Sequence, residues 1–197
     1  LNTLFPSVNF GGSEEATLLG AALGKTSLDT LLLTHVDQLR CLSGKIENLN
    51  AHDAFYLLKN CLCAPKLIYT LRTSPCFTAH KLIGLLDTCI QESLTTTLNV
   101  EVKTGQWRHA SLPTHLGGHG IPSPSSIASA AFMASVTSTS ALAARISPNA
   151  GTSAKTEMAL QNWRSLSLSE PPTSSRQGAW TSQIHKAEAE RLMNEAD

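Results

Sequence analysis

From residue 26 onward, Leu28, Leu31, Leu32, His35, Val36, Leu39, Leu42, Ile46 and Leu49 recur at steps of three and four. That step keeps them on one face of a helix and turns Asp37, Gln38, Arg40, Lys45 and Glu47 to the other, so the stretch suits neither a strand nor a loop. Thr26 or Ser27 is expected to cap this helix, Asp29 sits in its first turn, and Gly44 is where it can break.

The same spacing repeats along the chain. Asn50 is expected to cap a second helix, with Asp53 at its third position and Ala54, Leu57, Leu58 and Cys61 as the buried stripe up to Pro65. "KLIYTLR" adds a short segment that Ser74-Pro75 ends, and a helix over about 78–98 turns Leu82, Leu85, Leu86, Cys89, Ile90 and Leu94 inward. Ser123 and Pro124 open "SSIASAAFMASVTSTSALAARI", whose small residues permit close packing. "AKTEMALQNWRSL" and "QGAWTSQIHKAEAERLMNEA" supply the last two patterns, separated by the stiff Glu170-Pro-Pro172.

Between these patterns, residues 99–125 hold Gly105, Pro113, Gly117, Gly118, Gly120, Pro122 and Pro124. Such breaker density leaves a long connection, with Trp107 and Leu112 as its expected anchors in the core. The fold class is therefore mainly α, an irregular helical bundle of six or seven helices with a long Gly/Pro-rich connection. Residues 1–25 read as an extended or loop lead-in, 26–147 as a helical domain, and 148–197 as a C-terminal helical extension polar enough to be loosely attached.

Lys plus Arg and Asp plus Glu both number 15, so the whole chain has no net electrostatic pull on nucleic acid and any basic surface must be local. No apolar run approaches the length of a membrane helix, and no membrane partner is expected. The sequence opens at Leu1 with no Met and no basic or signal-like stretch of its own, so the chain is expected to be a piece of a longer polypeptide. Cys41, Cys61, Cys63, Cys76 and Cys89 lie in apolar helical patterns, which fits buried free thiols in a reducing compartment, cytoplasm or nucleus.

Several chemistries can be weighed on spacing alone. "LLGAALGKTS" has the look of a phosphate-binding loop, but Gly20 and Gly24 enclose three residues where four are needed. Its glycines are expected to serve backbone geometry. "LIGLLD", which could end a strand at a metal-binding Asp87, continues the helical face of its neighbours instead. Cys61, Cys63, Cys76 and His80, with His115 and His119, offer a zinc set, but a C-x-C pair is tighter than structural zinc uses. The chain has no G-x-S-x-G elbow for a nucleophilic serine.

Four stretches stand in one order: "TLLGAALG", "HDAFYLLKNCLCAPKLIYTLRTSPC", "WRHASLPTHLGGHGIPS" and "ASAAFMASV". Together they resemble the region that follows the catalytic palm in reverse transcriptases of non-LTR retrotransposon type. The resemblance covers about residues 16–136, with an echo in Trp163 and "RQGAW", and "SLPTHLGGHGIPS" is its most specific part. His119 stands where that family usually has an apolar residue, and Pro122 where a basic one is common.

The family's polymerase chemistry depends on paired Asp residues that hold two metal ions. Here Asp29, Asp37, Asp53, Asp87 and Asp197 are isolated, so no catalytic residue is assigned, and any Mg²⁺ would belong to a palm outside this chain. The resemblance thus implies a non-catalytic, thumb-like region of an RNA-directed DNA polymerase, joined to the palm through residues 1–25 and holding an RNA–DNA or DNA duplex. Such a grip rests on phosphate contacts, for which Lys59, Lys66, Arg72 and Arg108 are the candidates. A second reading is a catalytically dead retroelement remnant that binds a protein partner through its Ala/Ser-rich helix.

Overall fold

The computed structural model describes residues 12–148 and 151–196. A two-residue pair of strands, β1 (Thr17–Leu18) and β2 (Ala21–Ala22), leads into α1 (Lys25–Ile46), α2 (Ala51–Leu57) and α3 (Ala64–Thr73). Then come α4 (His80–Leu98), α5 (Thr104–Ala110), α6 (Pro124–Ile146), α7 (Ala154–Ser167) and α8 (Gln177–Ala196). The expected helical bundle is present, and α5 is an additional short helix inside the expected connection. Residues 1–11 of the lead-in and residues 149–150 lie outside the described residues, so that part of the lead-in stays an expectation.

Helix α1 runs unbroken through Gly44 and buries Leu28, Leu32, Val36, Leu39 and Ile46. Its cap is Gly24, not Thr26 or Ser27. The Ser27 hydroxyl instead binds the carbonyls of Gly24 and Ala16, while the Glu14 carboxylate accepts from the N–H of Lys25 at 3.0 Å. A Cβ on Gly24 would lie 2.3 Å from the Glu14 backbone, so the glycine is there for close approach. The first turn of this helix is thus closed by the protein's own carboxylate, and the stretch that suggests a phosphate loop is a hairpin turn and a helix cap. Leu19 (φ 50°) and Gly20 (φ 80°) form the two-residue turn between β1 and β2, the paired positive φ values of a type I′ hairpin.

Asn50 caps α2 as expected, its side chain accepting from the N–H of Asp53. The buried stripe then departs from the 3.6 pattern, because Leu58–Leu62 form a π-helical turn. One inserted residue rotates the helix, so Leu62 and Cys63 are buried, Leu57 is half-buried and Cys61 faces solvent. Cys41 is exposed as well, which corrects the expectation that all five thiols are buried. In α4 the inward set contains Ile83 in place of Leu82, which is half-buried, and Leu85, which is exposed.

Helix α6 is the centre of the packing. Ala128, Ala130, Ala131 and Ala134 are fully buried, and their small side chains let α3, α4, α7 and α8 approach the same rod. Its 23 residues are long and apolar enough to cross a membrane by length and composition, which amends the expectation that no segment approaches that size. Its first half is nevertheless buried in the core, and from Ser138 onward the helix is exposed.

The last two helices are not loosely attached. Ala159, Trp163, Trp180 and Ile184 join the same core as α1 and α4, each at most 2% exposed. Trp163 and Trp180 meet edge to face with ring centroids 4.9 Å apart, and the Trp163 indole N–H donates to the Trp180 carbonyl at 3.1 Å. A polar outer face hides this anchorage from a reading of average polarity, since two indoles outweigh many surface charges.

Candidate nucleic-acid interface

The connection after α5 is a knot of short hydrogen bonds. The N–H groups of Gly118, His119 and Gly120 donate back to the carbonyls of Pro113, Ala110 and Leu112. Trp107, Leu112 and Ile121 are buried beneath it, the first two as expected. Gly117 and Gly120 take left-handed φ values of +85° and +71°. Gly118 is required for another reason: a Cβ there would stand 2.0 Å from the Leu112 carbonyl oxygen.

This loop packs on the α2 and π-turn segment. The Phe55 and His119 rings meet edge to face with centroids 6.0 Å apart. The Lys59 amine lies over Gly120, so close that a Cβ on that glycine would be 2.9 Å from Nζ. Lys59 and the most family-like loop therefore share one surface, although they are about sixty residues apart in sequence.

The other three cations stand elsewhere. Lys66, half-buried on α3, is near enough to His35 that its charge, added to burial, holds that imidazole below its usual pKa. Arg72 donates to the Gln177 side chain at 3.2 Å and so ties α3 to the start of α8. Arg108 on α5 donates to Glu188 at 2.5 Å and to Glu195 at 2.7 Å, both on α8. Among the described residues, Lys59, Lys66 and Arg72 have no carboxylate at ion-pair distance, whereas Arg108 has two.

A cavity of about 250 Å³ was not foreseen from the sequence. It lies between α4, α5, the start of α6 and α8, and its wall includes Asp87, Ser123, Ser125, His185 and Glu188. Burial raises the Asp87 carboxyl, against the lowering effect of the nearby Ser125 and Ser123, and burial lowers His185. The cap of α6 is Ser123, whose hydroxyl accepts from the N–H of Ser126, and Asp87 on α4 lies in the same cavity wall with its Oδ1 unpartnered among the described residues. Among the described residues no three His, Cys, Asp or Glu side chains gather as a metal site. Burial pushes the Cys63 and Cys76 thiols up to about 12.

No family model, curated protein or solved structure matches the chain. The likeness to a reverse transcriptase rests on the quoted motifs alone.

Proposed function

We propose that the chain is a non-catalytic helical segment of a reverse-transcriptase-like protein that holds a primer–template duplex by its phosphates. The observation that carries this reading is Lys59, a cation with no carboxylate partner at ion-pair distance among the described residues, laid against Gly120 in the motif most like that family. A lysine beside an ordered loop offers a phosphate a pre-positioned charge. Lys66 and Arg72 extend the set along α3.

The test is fluorescence anisotropy of a labelled RNA–DNA hybrid titrated with the chain at several salt concentrations. Binding should weaken steeply with salt, and Lys59→Ala should lower the slope of log affinity against log salt by about one while leaving Tm unchanged. Absence of salt-sensitive binding would refute the reading. The exposed Leu142 and Ile146 on the outer half of α6, 55% and 76% accessible, favour the second reading, a remnant that docks a protein partner. That reading requires no salt-sensitive hybrid binding, so the same titration separates the two.

A further inference from the structure

The seam between α5 and α8 holds four charges in balance. Arg108 reaches Glu188 through Nε and Glu195 through Nη1, while Arg191 reaches Glu188 at 3.2 Å and donates to the Leu166 carbonyl at 3.0 Å. Two arginines are therefore kept electrically silent by two carboxylates.

The two carboxylates are not equivalent. Glu188 is largely covered, with its side chain 20% exposed, and it serves both arginines. Glu195 is 57% exposed, serves Arg108 alone and lies in the last turn of α8. A helix C-terminus carries partial negative charge, so an acidic residue there is disfavoured by its own helix. Helix ends also fray, and an exposed ion pair is readily screened. What holds Glu195 in place is Arg108, whose guanidinium in turn lowers the Glu195 carboxyl below its usual range.

We propose that the end of α8 is an acidic strap, in which Glu195 occupies Arg108 where a nucleic-acid phosphate would otherwise bind. A carboxylate and a phosphate offer a guanidinium the same pair of acceptor oxygens, so either can satisfy its N–H donors. A duplex approaching the α5–α8 seam displaces Glu195 by unwinding the final turn, while Glu188 stays with Arg191. The strap thus controls whether Arg108 joins the phosphate contacts set out under Proposed function, and it rests on that reading.

The experiment compares the full chain with Glu195→Gln in the hybrid titration, with Glu157→Gln, on the exposed first turn of α7, as a control for net charge. Glu195→Gln should bind about two- to fivefold more tightly at low salt, with a salt slope steeper by about one. Arg108→Ala in the Glu195→Gln chain should cancel the gain. If wild type binds and Glu195→Gln matches it, or if Glu157→Gln gains as much, the strap is overturned and the duplex reading stands. If neither wild type nor Glu195→Gln binds, the duplex reading falls and the strap with it.

Discussion

Two adjacent glycines, Gly117 and Gly118, should respond very differently to the same added methyl group. At Gly117 the added Cβ would have room, with its nearest neighbour, His109 Nε2, 3.5 Å away, so the cost is the left-handed backbone alone. That is about 1–2 kcal/mol for a residue with a Cβ. At Gly118 the Cβ would meet the Leu112 carbonyl oxygen at 2.0 Å and the His109 oxygen at 2.7 Å. These are backbone atoms, and no rotamer change can move them. The loop must open by more than an ångström, which strains the bonds from His119 N–H to Ala110 and from Gly120 N–H to Leu112. Two such bonds at about 0.5–1.5 kcal/mol each, with the lost packing of Leu112 and Ile121, bring the expected loss to about 3–4 kcal/mol. Urea unfolding followed by tryptophan fluorescence measures both variants. A Gly118→Ala loss no larger than that of Gly117→Ala would refute the described loop geometry.

Stability is also open to two other tests. Leu19, 88% exposed in a left-handed turn position, gains nothing from its side chain, so Leu19→Asn should raise stability by about 0.5–1 kcal/mol and Tm by a few degrees in calorimetry. An unchanged or lower Tm would count against the turn. His35 and His185 are held neutral by burial, with pKa values below 6.5, so the unfolded chain takes up protons first as pH falls. Their contribution is present above about pH 6.5 and is lost below it, so Tm should drop between pH 7.5 and pH 5.5, less steeply in His185→Gln.

Helix positions were legible because each helix repeats its apolar residues over several turns, and α1, α4 and α6 each bury a long stripe. What escaped was local or long-range. The π turn at Leu58–Leu62 adds one residue to the helix, and no periodicity announces where a helix will take it; hence Cys61 faces water where a regular helix would bury it. Helix α5 escaped because it has only seven residues, with Gly105 inside it and Pro113 soon after, and is held by Trp107 more than by propensity. The capping of α1 by Gly24 depends on Glu14 and Ala16 folding back onto it. At the candidate interface, the residue types were readable and their surroundings were not: Lys59 meets Gly120 and Arg108 meets Glu195 across gaps of sixty residues or more, which only the bundle closes.

The paired indoles of Trp163 and Trp180 have a practical consequence. They lie one on α7 and one near the start of α8, in van der Waals contact and at a large mutual angle. Chromophores so arranged couple their electronic transitions, and the coupling vanishes once the rings part. The near-ultraviolet circular dichroism of the chain therefore carries a gauge of α8 docking, and it reads whether the helix stays seated while its far end exchanges one anion for another.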